Sequence, residues 1–178
     1  MAGTWQIRPE RPEDAARVEA LNNDGFGPGR YAKSAYRLRE GVEREKSLGF
    51  VAIGNGAILG TVRFWPIVVG KDRALMLGPL AVQSDQRGSG IGVALMKHGI
   101  EAARRTDYAA ILLVGDEGYY KRAGFARIAP GRVRFPGPVD AARLLGLPLK
   151  DNALQNLSGN IVRARIDHSV CADGAGTA

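Results

Sequence analysis

Residues 50–53, 58–65 and 73–82 are three apolar-rich stretches separated by turn formers, and each predicts a β-strand. Gly54-Asn55-Gly56 between the first two is a hairpin signal, and Gly70-Lys71-Asp72 precedes the third. Upstream, residues 4–8 predict a first strand. Pro12 suits the first turn of a helix, with Glu13 and Asp14 near its positive end. Ala15, Val18 and Leu21, spaced three apart, give that helix one apolar face. Residues 22–29 read as a loop from their glycines and Pro28, and residues 31–46 as a second, highly charged helix.

The pattern after residue 82 is more specific. A helix is predicted from about residue 90 to 105, with Lys97, Glu101, Arg104 and Arg105 at i, i+4, i+7 and i+8 forming one polar stripe. Its other positions are apolar or small, so it is expected to be buried on most sides against a sheet. Residues 109–114 are a short continuous apolar run, as in a strand covered on both faces. Strand, helix and strand within some 40 residues make a βαβ unit. A short helix at 119–123 and a strand at 125–128 follow. The stretch 130–148 is proline-rich and loop-like, 157–166 predicts a last strand, and 169–178 a disordered tail. Residues 1–168 are therefore expected to form one domain, with 130–168 as a C-terminal extension.

Composition adds three constraints. Glycine is in excess, 24 of 178 residues, nearly twice the usual ~7%, which directs attention to turns and close backbone approaches. The net charge is +7, but the basic residues are scattered, and no run resembles a nucleic-acid-binding arm. The surplus fits a solvated surface or an anionic cofactor, and no nucleic-acid partner is expected. Cys171 is the one cysteine and His98 and His168 the only histidines, too few for a disulfide or for a cysteine- or histidine-rich metal centre, so no metal is expected. No apolar run is long enough to span a membrane, and the N-terminal residues lack a signal-peptide core. A bacterial-style cytoplasmic protein without a membrane partner is the expectation.

The candidate chemistry sits at Arg87-Gly88-Ser89-Gly90-Ile91-Gly92, between a strand and the buried helix. Glycines there let backbone amides converge on a ligand, and the helix start adds unpaired donors and the positive end of a dipole. With Arg87 this predicts a pyrophosphate site. A Walker A loop would need a Gly-Lys-Ser/Thr that is absent. A dinucleotide fingerprint would need a third glycine at position 93 or 95, where Val93 and Leu95 stand. A glycine-rich βα turn that binds nothing is the alternative.

The spacing Arg87-x-x-Gly90-x-Gly92 resembles the coenzyme A signature of the GCN5-related N-acetyltransferase (GNAT) superfamily, as do the preceding Leu77-Gly78-Pro79-Leu80-Ala81-Val82 and the following helix. Tyr120, Gly124 and Phe125 match that superfamily's Tyr-x-x-x-Gly-Phe element, and Ile7-Arg8-Pro9 with Glu13-Asp14 resembles its opening strand and helix. The resemblance covers roughly residues 5–129 and extends to a bacterial subgroup of predicted acetyltransferases. It implies an α/β (α+β) fold. The sheet would be central, mixed and mostly antiparallel, with a parallel βαβ unit at the cofactor site and helices on both faces.

The implied activity is transfer of an acetyl group from acetyl-CoA to a primary amine on a small molecule or peptide. By resemblance, Leu80, Ala81 and Val82 offer backbone groups to the pantetheine arm and to the oxyanion that develops at the thioester. Arg87, Gly88, Ser89, Gly90, Ile91 and Gly92 cradle the pyrophosphate. Tyr120 is the general acid; a phenol of pKa near ~10 can protonate a thiolate of pKa near ~8.5. A packing tyrosine is the other reading of Tyr120. Tyr119, on a different face, would pack or touch substrate, and Phe125 would be core. Asp116 and Glu117, at the end of the presumed parallel strand, are the candidate bases, with solvated loop carboxylates as the alternative. No cysteine nucleophile fits, which favours direct attack in a ternary complex. Residues 22–39, 63–65 and 130–148 are expected to select the acceptor. Among them Arg30, Tyr31, Tyr36, Arg37 and Arg63 are candidates for a carboxylate or phosphate, or an exposed face. The resemblance also allows a homodimer. A non-catalytic CoA-binding sensor or regulatory module remains the second reading.

Overall fold

The computed structural model describes residues 4–27 and 34–164. Arg30, Tyr31, His168, Cys171 and the tail 169–178 lie outside the described residues. Strand β1 (Trp5–Pro9) leads through a 3-10 turn at Pro12–Asp14 into helix α1 (Ala15–Phe26). Asp14 closes this corner: it accepts from both Arg8 guanidinium nitrogens, at 2.6 and 2.8 Å, and from the Arg11 amide at 2.7 Å.

The charged helix expected over 31–46 is, within the described residues, a four-residue helix α2 (Ser34–Arg37) followed by turn and coil. Helical geometry stops at Arg37, Gly41 takes a φ of 71° in the turn that follows, and Leu38 and Val42 are buried. Charged residues of this stretch are drawn into tertiary contacts. Arg44 pairs with Glu10 at 3.2 Å, and the Tyr108 hydroxyl donates to Glu45 at 2.9 Å.

Strands β2 (Phe50–Gly54) and β3 (Ala57–Val69) form the predicted hairpin, with Gly54 opposite Ala57. Its two loop residues, Asn55 and Gly56, both have positive φ, as a tight two-residue turn requires. β4 (Asp72–Val82) returns antiparallel to β3, α3 (Ile91–Ala103) crosses one face, and β5 (Ala110–Val114) pairs parallel with β4. This is the predicted βαβ unit. Ile111 and Leu113 pack on the α3 side with Leu75, Leu77, Leu95 and Met96, while Ala110 and Leu112 face the opposite core with Ala74 and Met76. Helix α1 lies across β3 and β4, with Gly25 against Ala81.

Beyond β5 come α4 (Glu117–Tyr120), a 3-10 turn at Lys121–Ala123, β6 (Ala126–Arg127) and β7 (Val133–Arg134). The loop expected over 130–148 also contains β8 (Leu144–Pro148), a buried strand paired along its whole length with β5. Gly146 and Pro148 signal a loop locally, but Gly146 lets Leu154 and Ile128 pack onto the strand, and Pro148 stands at its end. After α5 (Ala153–Asn156), β9 (Gly159–Arg163) pairs with the distal half of β3 and with β7. The main path of the nine-stranded sheet runs β1-β2-β3-β4-β5-β8-β6, antiparallel except at β4–β5, with β9 antiparallel on β3 and β7 parallel to β9, so the mixed, mostly antiparallel sheet with helices on both faces is as expected. No described helix is long and apolar enough to cross a membrane.

Candidate active site

The site begins as a defect in the sheet. On the β3–β4 ladder Val62 faces Leu80 and Phe64 faces Leu77, so β4 carries one extra residue, a bulge at Gly78–Pro79. Pairing of β4 with β5 is confined to Leu75–Ile111 and Met76–Leu112, before the bulge. Beyond it the two strands diverge, and a cavity opens on each side of their separated ends.

The first cavity, about 400 Å³, is lined by Leu80, Ala81 and Val82 of β4, by Arg87, Gly88, Gly90, Ile91 and Gly92, and by Tyr119, Tyr120 and Arg122. Gly88 and Gly90 have φ of 84° and 89°, a backbone that L side chains rarely adopt. Gly90 caps α3 with no side-chain bond, leaving the first-turn amides without a side-chain acceptor. A β-carbon at Gly88 or Gly90 would meet nothing within 4 Å, so the cradle is open. An open cradle of helix amides flanked by two arginines fits a pyrophosphate. Ser89 takes no part in the lining; its hydroxyl donates to the Gln86 carbonyl at 2.6 Å. Gly92 serves differently, because a β-carbon there would collide with the Tyr119 hydroxyl. The glycine turn and the tyrosine element are thus interlocked.

The second cavity, about 520 Å³, is lined by Tyr36, Arg37 and Arg39, by Leu77–Leu80, by Val114, Gly115, Asp116 and Tyr120, and by Pro138, Val139, Asp140 and Arg143. Phe26, Leu80 and Tyr120 line both cavities. Tyr120 is delivered by the end of β5 and by α4, which Asp116 caps by accepting from the Tyr119 amide at 3.0 Å. Its ring meets Tyr119 and Phe125 edge-on, with centroids 5.1 and 6.0 Å away, and Gly115 leaves room for it. Burial first, then Tyr119, pushes the Tyr120 phenol up to about 12, against the pull of Arg143 and Arg39. Burial also raises the Tyr119 phenol.

The other sequence candidates separate. Asp116 lines the second cavity, but Glu117 turns to Arg127, 2.7 Å away, and lines neither. Arg63 grips Glu10 with two hydrogen bonds of 2.9 and 2.7 Å and also lines neither. Tyr36 and Arg37 reach the second cavity. His98 stacks edge-on against Phe50 at 4.6 Å, on the exposed side of α3. Phe26, Arg39 and Arg143 lie in the segments 22–39 and 130–148 expected to select the acceptor but were not singled out there, and Arg122 was missed altogether. For Arg122, two residues after Tyr120, motif proximity was a usable signal. The others converge only through tertiary packing, Arg143 through the hydrogen bond from the Gly115 amide to its carbonyl at 2.9 Å.

The Acetyltransferase (GNAT) family matches residues 15–125. The Escherichia coli (strain K12) protein named uncharacterized N-acetyltransferase YhbS is 35% identical over 158 residues, spanning 86% of this chain and 92% of its own. The crystal structure of the GNAT family N-acetyltransferase YhbS from Escherichia coli in complex with CoA superposes with a TM-score of 0.75 at 32% identity, covering 92% of both chains. A GNAT family acetyltransferase from Brucella melitensis in complex with acetyl-CoA gives 0.67 at 27% identity, over 91% of this chain and 97% of that one. Motif order, sheet topology and these matches agree, and the chain belongs to the GNAT family of acetyltransferases.

Proposed function

We propose that the protein is an acetyl-CoA-dependent N-acetyltransferase that acetylates a primary amine by direct attack in a ternary complex. The observation that carries this reading is the meeting of the two cavities at Leu80, Phe26 and Tyr120. One side suits an anionic donor and the other admits an acceptor, with a phenol at the junction. Bound acetyl-CoA supplies an activated acetyl thioester. The chain's own residues do the rest. Arg87, Arg122 and the first-turn amides of α3 hold the pyrophosphate, and the main chain of Leu80–Val82 orients the pantetheine arm. The Tyr120 hydroxyl, protonated throughout the neutral range, holds a proton for the departing sulfur. Asp116 is the better-placed acceptor for the proton of the amine, since Glu117 is engaged by Arg127.

Calorimetric titration with acetyl-CoA, paired with free-thiol release over an amine library, tests this. Wild type is expected to bind and turn over. Arg87→Glu should lose about 100-fold in affinity, as a charge-assisted contact is replaced by repulsion. Tyr120→Phe should bind normally and lose about 10²–10⁴ in kcat. Binding without turnover of any amine would favour the sensor reading, and absence of binding would sink both.

A further inference from the structure

The acceptor-side cavity contains a cation that no carboxylate neutralises. Arg8, Arg44 and Arg63 each face a buried carboxylate, Asp14 or Glu10. Arg39 does not: among the described residues no carboxylate forms an ion pair with it. Its guanidinium carbon lies 4.7 Å from the Tyr36 ring centroid and 5.9 Å from that of Trp65. Its Nε is buried without a hydrogen-bond partner, and its Nη2 lies 3.0 Å from where a β-carbon on Gly78 would stand. Of the two aspartates lining the cavity, Asp116 accepts from the Tyr119 amide and Asp140 from the Ala142 amide at 2.9 Å, and neither forms an ion pair with Arg39. Burial draws the Arg39 pKa down to about 10, so the side chain remains cationic at neutral pH. A desolvated guanidinium held beside two aromatic rings, hydrogen-bonded to the Tyr36 side chain and lining a cavity, is suited to an oxyanion.

We propose that Arg39 binds an anionic group of the acceptor, so that the amine substrate carries a carboxylate or phosphate set back from its amino group. The amine then points to the Tyr120 junction while the anion lies against Arg39 beneath the Gly78 bulge. This rests on the acetyltransferase reading and deepens it.

Matched acceptors test the assignment: 4-aminobutyrate against butylamine, and O-phosphoethanolamine against ethanolamine, assayed by thiol release with wild type, Arg39→Met and Arg39→Lys. Wild type is expected to prefer the anionic member of one pair in kcat/KM, and the pair that responds tells carboxylate from phosphate. Arg39→Met should cost that member about 10- to 100-fold, chiefly in KM, and leave its neutral partner within about twofold. Arg39→Lys should recover part of the loss. Calorimetric titration of the CoA-loaded protein with the preferred anionic amine should show the same loss without turnover. If neither anionic amine outperforms its neutral partner in a wild type that binds acetyl-CoA, the proposal fails. It fails equally if Arg39→Met depresses both members alike. Loss of acetyl-CoA binding by wild type would instead overturn the acetyltransferase reading itself.

Discussion

A methyl group at Gly92 would strike the Tyr119 hydroxyl, and one at Gly115 would strike the Tyr120 ring. The two clashes fall on different parts of the site, because Tyr119 lines only the first cavity while Tyr120 lines both. Gly92→Ala is therefore expected to weaken acetyl-CoA binding by about tenfold or more, as Tyr119 is driven into the donor space. Gly115→Ala should leave calorimetric affinity within a few-fold and lower thiol release instead. Equal effects of both substitutions on binding would contradict this division between the tyrosines. At this scale the lining of the first cavity was largely legible: Arg87, Gly88, Gly90 and Gly92 meet there because they belong to one local glycine turn. Arg39 was not, since its meaning depends on Tyr36 and Trp65 closing on it, a contact between the turn after α2 and β3 that no local spacing encodes.

Elements show the same contrast. The β2–β3 hairpin and the β4–α3–β5 unit follow from Asn55-Gly56, from the glycine turn and from an unbroken apolar run, all signals carried within a few residues. β8 escapes because Gly146 and Pro148 outweigh its leucines when read locally. Its partner β5 supplies the missing half of the argument, as pairing buries Leu145 against the α3-side core. Leu145 is completely buried, so Leu145→Ala should destabilise the fold by about 2–5 kcal/mol in urea denaturation. A loss below about 1 kcal/mol would mean that β8 is not an integral strand. Charge patterning misleads over 31–46 for a related reason. Side chains spaced like the exposed face of a helix are spent on ion pairs with residues far along the chain, such as Arg44 with Glu10.

For the molecule as a whole, the corner where β1 enters α1 sets a pH limit. Asp14 is 5% exposed, and its carboxyl is held below the ordinary 3.8 first by the Arg8 hydrogen bond, against the cost of burial. Its contribution to stability is present above pH 3.8 and lost as pH falls through the depressed value. Asp14→Asn should thus be less stable at neutral pH and show a flatter acid limb when melting temperature is followed from pH 7 to 2. An unchanged acid limb would remove Asp14 from that role. The strand divergence after the Gly78–Pro79 bulge has a consequence for how such a protein diversifies. The first cavity is lined by the glycine turn and the start of α3, where the left-handed Gly88 and Gly90 tolerate little change. The second cavity is lined from separate segments of the chain, including Tyr36, Arg39 and Arg143. Inheritance can keep the first while rewriting the second one substitution at a time, so under the function proposed for the two cavities descendants can share a donor and part company over what they acetylate.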